Sequence, residues 1–213
     1  MNSVALWSNE MKINRTIEAL KKNNMNGYYA KNRDEVIELI KDIVSEGSKV
    51  AVGGSETLSE LGILEHLRSG RYDFLDRYKE GLTREEVTNI FKQSFLADAY
   101  LSSCNAITEN GELYNVDGNG NRVAAMLYGP DKVIVICGIN KIVKDVDEAI
   151  KRNREISAPM NAKRLNKKTP CAKVGYCMNC NSPERICNEY TLIKKQRSSE
   201  RMHVIFLNEN LGY

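Results

Sequence analysis

Nowhere in this 213-residue chain does an apolar run approach the roughly 18 residues that a membrane-spanning helix needs. The first twenty residues, "MNSVALWSNEMKINRTIEAL", are polar at the start, carry Glu10 and lack an apolar stretch ending in a small-residue cleavage site, so no signal peptide is read there. Excess charge of one sign is missing too. The 31 basic and 28 acidic residues nearly cancel to +3, which is no argument for a nucleic-acid partner. Only two histidines occur, His66 and His203, far apart and without a neighbouring histidine, so each is read as packing or surface chemistry rather than as a ligand. Neither G-x-G-x-x-G nor the Lys-Ser/Thr ending of a phosphate loop is found, and no nucleotide cofactor is expected. With 42% hydrophobic and 28% charged residues, the chain fits a soluble globular protein of one domain, in the cytoplasm, with no membrane partner.

What the chain does have is an alternation of amphipathic helices and buried strands. Ile13, Ile17 and Leu20 predict a first helix, followed by a break at "KKNNMNGYYAKN". Residues 1–30 are accordingly set apart as helix and connector, free to pack on the body or on a second subunit of a homodimer. From residue 31 to 213 the pattern predicts a single α/β domain. "RDEVIELIKDIVSEG" reads as a helix ending at Gly47, "KVAVGG" as a strand running into two glycines, and "SETLSELGILEHLRSG" as the helix after it. Thr83 and Glu86 form a capping-box pattern. Asn-Gly and Asp-Gly steps then separate short strands, and "RVAAMLYG" reads as a short helix. "DKVIVICGIN" is the strongest strand, with residues 133–137 all apolar. A long helix interrupted at Pro159 and a late strand, "RMHVIFLNE", complete a three-layer α/β/α reading.

Two places carry chemistry. At "GGSET", Gly53 and Gly54 allow a tight turn and close backbone approach, while Ser55 opens a helix whose free N–H groups favour an anion; a plain capped turn fits the same residues. Lys141 lies just beyond the end of the buried strand, where open α/β sheets place ligands. Asn115, Asp117 and Asn119 offer a polar rim or simply stabilise turns.

The second place is "TPCAKVGYCMNCNSPERICNEY", an insertion at 169–190 holding four of the six cysteines. Cys171, Cys177, Cys180 and Cys187 have the spacing C-x5-C-x2-C-x6-C. Four thiolates suit either tetrahedral Zn²⁺ or an iron–sulfur cluster. A reversible dithiol at Cys177 and Cys180, or reduced structural cysteines, are the readings without a metal. Pro183 is expected to start a short helix. Cys104 and Cys137 sit in apolar contexts and read as core residues.

Taken together, "AVGGSETLSELGI", "ITENGEL", "KVIVICGINKIV" and "SPERIC" resemble the LUD-domain family of lactate-utilisation proteins, and in particular its short members with a cysteine-rich C-terminal segment. The resemblance spans roughly residues 33–207. It implies the NagB/RpiA/CoA-transferase-like fold, shared by glucosamine-6-phosphate deaminase, ribose-5-phosphate isomerase and CoA-transferases. It also implies an accessory or redox role in the oxidation of lactate, binding a small organic anion alongside iron–sulfur oxidoreductase partner proteins. "TENG" looks like the glutamate motif of CoA-transferases, which would make Glu109 an acyl nucleophile beside Asn110. The residues leave other readings open: a solvated surface turn at Glu109, or a noncatalytic ligand-binding or complex-assembly protein with structural zinc.

Overall fold

Residues 3–213 are described by a computed structural model. Helix α1 (Ser3–Lys22) buries Ile13, Ile17 and Leu20, as their spacing predicts. Strand β1 (Asn26–Ala30) forms inside the stretch expected to be a break. Helix α2 (Arg33–Ile43) starts at Asn32, whose side chain accepts the Glu35 N–H, and it ends before Gly47 because Val44 is already extended. Strand β2 (Lys49–Val52) runs into the glycine pair. Two short helices follow in place of the single one expected, α3 (Glu56–Glu60) and α4 (Ile63–Leu67). Gly62 between them takes φ +61°, a conformation that glycine adopts without steric cost.

Strand β3 (Asp73–Leu75) precedes α5 (Arg84–Gln93), where the Thr83–Glu86 capping box is present in both directions. Next come β4 (Ala99–Ser102), β5 (Ala106–Thr108), β6 (Leu113–Asp117) and helix α6 (Asn121–Leu127). Strand β7 (Lys132–Gly138) is the apolar strand, and β8 (Ile142–Val143) follows one turn later. The long helix expected around Pro159 is α7 (Val146–Arg152), a π-helical turn (Asn153–Ser157) and α8 (Ala158–Arg164), with Pro159 in the first turn of α8, where its missing N–H does least harm. The cysteine-rich segment holds α9 (Pro170–Val174) and leads into β9 (Glu189–Ile193) and β10 (Met202–Leu207); no helix starts at Pro183.

Six strands form one sheet in the order β1-β10-β7-β4-β2-β3, and every neighbouring pair is parallel. Alternate residues face opposite sides, which explains the unbroken apolar run in β7. Val133, Val135 and Cys137 join Val204 and Phe206 of β10, Ile13 and Leu20 of α1, and Met126 of α6 in one cluster. Ile134 and Ile136 join Ile205 and Leu207, Val36 and Ile40 of α2, and Leu58 and Leu67 from α3 and α4 in the other. Each fully buried Ile, Leu or Phe contributes about 1.5–3 kcal/mol relative to exposure. The chain is thus a mixed α/β domain with helices on both faces of a parallel sheet.

The first thirty residues, set apart in the sequence, supply β1 as the edge partner of β10 and α1 to the core. A second sheet, β8-β5-β6-β9, stands on the α1 side, where Ile107, Leu113, Ile142 and Ile193 join the first cluster. Among the described residues, no helix is long and apolar enough to cross a membrane.

Candidate functional site

Strands β2, β4 and β7 are neighbours or near neighbours in the parallel sheet, and their carboxyl ends open on the same side. The loops leaving them carry Gly54 and Ser55, Ser103 to Asn105, and Lys141. These loops line a cavity of about 290 Å³, closed on its other sides by Asp117 to Asn119, Arg122, Ser157, Asn161, Arg164 and Tyr213. This is where ligands bind in open α/β sheets.

Lys141 is only 3% exposed. Its Nζ donates to Thr57 Oγ1 and to Ser103 Oγ, both at 2.8 Å, and no ion pair between Lys141 and a carboxylate is found among the described residues. Burial pushes its pKa down, an effect partly offset by the nearby Cys137 and Cys104. A charge held by two neutral hydroxyls retains one N–H and most of its field for whatever enters the cavity.

Arg122, by contrast, is fully engaged. Its Nε donates to Asp117 Oδ1 at 2.8 Å, Nη1 to Asn115 Oδ1 and the Ser103 carbonyl, and Nη2 to Asn105 Oδ1 and the Val116 carbonyl. Asp117 Oδ2 also accepts the backbone N–H groups of Arg122 and Val123 at 3.1 Å, taking up two of the free donors at the start of α6. The pair therefore fixes the β6–α6 turn against the loop after β4.

Arg152 performs a similar task from below. Its Nε donates to the Asn140 carbonyl, and its Nη1 to the Asn105 carbonyl and to Ser157 Oγ at 2.7 Å. Arg152 and Ser157 are five residues apart, a spacing that the π-helical turn between them brings into register. At the rim, Arg77 stacks on the rings of Tyr78 and Phe91, and Arg164 pairs with Glu56 at 3.4 Å.

Of the residues singled out in the sequence, Gly54, Ser55, Asp117, Asn119 and Lys141 line the cavity. Ser55 is occupied as the cap of α3, its Oγ accepting the Leu58 N–H. Gly53 is absent from the lining, and its N–H is held by the Leu101 carbonyl at 2.9 Å. Its requirement for glycine comes from packing: a Cβ there would lie 2.8 Å from Ser102 Oγ and 2.9 Å from Arg122 Cγ. Glu109 and Asn110 lie elsewhere. Glu109 faces α1, 3.3 Å from Arg15 and 3.9 Å from Lys12, and the Asn110 carbonyl accepts from Asn23. His203 bonds to Tyr28 and the Glu200 carbonyl, and His66 packs edge-on to Tyr72; neither reaches the cavity.

Thr57, Ser103, Arg122 and Arg152 were not singled out. For Arg122 a signal existed, an arginine opening a helix just after the Asp-Gly-Asn-Gly turn. The two hydroxyls carried none.

The expected iron–sulfur or zinc centre is overturned. Among the described residues, no group of three or more His, Cys, Asp or Glu side chains is disposed to hold a metal ion. Cys171, Cys177, Cys180 and Cys187 all border one small, mainly apolar hollow, but each has a different setting. Cys171 is buried on α9 with its Sγ 3.2 Å from Thr169 Oγ1, and Cys177 Sγ accepts the Asn179 N–H. Burial, with the neighbouring thiols Cys177 and Cys171, pushes Cys187 up to about 11. Arg185 donates to the carbonyls of Cys180 and Cys187, so the segment is held by its backbone.

The LUD domain family model matches residues 13–207. Among solved structures, a DUF162 family protein from Deinococcus radiodurans is 16% identical, with 84% of this chain and 99% of that one covered and a TM-score of 0.35. eIF2B delta from Chaetomium thermophilum is 18% identical, with 56% and 50% covered and a TM-score of 0.37. No curated protein matches the chain.

Proposed function

The chain belongs to the LUD-domain family, and on that premise we propose that its cavity binds a small organic anion, a carboxylate of the lactate and pyruvate class or a phosphorylated acid. The protein then serves as an accessory component of organic-acid metabolism in the cytoplasm, on a fold of the NagB/RpiA/CoA-transferase-like type. The observation that carries the reading is Lys141, buried at 3% exposure beside the cavity and with no carboxylate partner among the described residues. An unpaired buried ammonium is costly, and an entering anion offsets that cost while gaining a charge-assisted hydrogen bond. Arg77 at the rim adds a second cation for which no ion pair is found among the described residues. The acyl-transfer alternative draws no support from position, because Glu109 lies outside the cavity in contact with α1.

Calorimetry of the full chain against lactate, pyruvate, inorganic phosphate, sugar phosphates and CoA esters tests the reading. One of the small anions should bind, and its affinity should collapse in Lys141→Met. Equal affinity in both proteins, or no binding by any of these ligands, would reject it.

A further inference from the structure

Cys104 and Cys137 read as ordinary core residues in the sequence, yet the fold brings their sulfurs to 3.2 Å. The reason is the register of the parallel sheet. Strands β4 and β7 run side by side as far as Ser102 and Val135, and Cys104, two residues on in the loop after β4, falls against Cys137 near the end of β7. The two thiols are not equivalent. Cys104 borders the cavity, whereas Cys137 is fully buried in the centre of the sheet and does not.

We infer that Cys104 and Cys137 are a thiol–disulfide couple in the cavity wall, in which Cys104 meets a peroxide-class oxidant and Cys137 closes the bond. The Cys104 thiolate attacks one peroxide oxygen, the O–O bond breaks, and the departing oxygen takes up the proton that Cys104 released, leaving a sulfenic acid on Cys104. Cys137 then attacks that sulfur. The S–S bond forms, the S–O bond breaks, and water leaves with the Cys137 proton. Two thiols have lost two electrons, and the peroxide has become an alcohol, or water, plus one further water.

The environment sorts the roles in the same way. The hydrogen bond shared with Cys137 and the charges of Lys141, Arg122 and Arg152 lower the pKa of Cys104 against the opposing effect of burial. The same bond, together with burial, raises Cys137 well above an ordinary thiol. Closing the bond draws the sulfurs from 3.2 Å together to about 2.05 Å, a short movement between a residue in the loop after β4 and one on β7. The couple is independent of the tail cysteines and does not rest on the anion-binding reading.

Trypsin makes the test direct, since Cys104 falls in the peptide 93–122, Cys137 in 133–141, and the other four cysteines in peptides after residue 168. The full chain is treated with a small excess of hydrogen peroxide, quenched, unfolded in urea with an alkylating agent, digested and mapped by mass spectrometry. Peptides 93–122 and 133–141 should appear joined, with equal loss of both alkylated forms. In Cys137→Ser, dimedone should label Cys104; in Cys104→Ser, Cys137 should stay reduced. If either variant fails to fold, the wild-type map alone decides. Both thiols remaining alkylatable after the tail thiols have oxidised, or Cys104 joined to a tail cysteine instead, would overturn the inference.

Discussion

Thr57 Oγ1 accepts a 2.8 Å hydrogen bond from Lys141 Nζ, joining positions 84 residues apart. With Ser103 Oγ at the same distance, the ammonium is fixed by hydroxyls alone. Replacing Lys141 by Met keeps the chain length and removes the charge. Anion affinity should fall at least about tenfold, or ~1.4 kcal/mol, while stability without the anion holds or rises, because a desolvated charge has been removed. Calorimetry and urea unfolding measure the two effects separately, and a large stability loss without anion would contradict this account.

Lys141 also sets a pH dependence. Its folded pKa is depressed below the 10.5 of an ordinary lysine, so between the two values the unfolded chain holds more protons. The burial penalty is complete below the folded pKa and is relieved as pH rises toward 10.5. Wild-type stability should therefore gain on Lys141→Met as pH rises through that window. Anion affinity should move the other way, weakening as Lys141 loses its proton. Cys104 and Cys137 face the same ammonium, and their Ser variants serve as controls. Parallel stability curves for the two proteins would remove Lys141 as the cause.

Asp117 and Arg122 are both nearly buried, at 9% and 11% side-chain exposure. Asp117→Asn leaves the guanidinium without its counter-charge and should cost about 3–5 kcal/mol. Adding Arg122→Met should recover part of that loss in chemical denaturation. A double variant less stable than the single one would refute the pairing argument.

Gly53→Ala is expected to cost about 1–3 kcal/mol by overpacking, since the new methyl group meets Ser102 and Arg122. Gly47→Ala supplies a contrast, because its Cβ would meet nothing and only its φ of +78° opposes the change. A crystal structure of Gly53→Ala should show Arg122 displaced; an unmoved guanidinium with full stability would count against the packing role.

Glu109→Gln should change stability by no more than about 1 kcal/mol, the range of exposed ion pairs, since Arg15 is well exposed and Glu109 is 30% exposed. Anion binding should be untouched. A thioester-dependent adduct on Glu109, seen by mass spectrometry and absent in the Gln variant, would restore the acyl-transfer reading.

Much of the sheet was legible because β7 and β10 are buried on both faces and so cannot hide their apolar runs. The capping box at Thr83 was legible for a similarly local reason. Strand β1 was not, since "NGYYA" is a strand by virtue of pairing with β10, a partner far along the chain. The break at Gly62 and the π-helical turn depend on backbone choices that composition does not record. At the site, Lys141 was found because its position after a buried strand is itself informative. Thr57 and Ser103 matter only through what folding sets beside them. The four late cysteines show the opposite error: spacing along the chain suggested a shared ligand set, but although all four border one hollow, their side chains are not disposed to hold a metal ion together.

The sheet order has a consequence in time. Strand β10 occupies the slot between β1 and β7, so β1, complete by residue 30, has no neighbour to pair with until residue 202 and those after it have been made. At ribosomal speeds of roughly 5–20 residues per second, that wait is on the order of ten seconds or more. For the last part of it, from the completion of β7 at residue 138 until β10 is made, one flank of that apolar strand stays open. Closure of the sheet is thus a late, long-range event, and a nascent chain stalled short of β10 would present an unpaired edge on β7 to its neighbours on the same message.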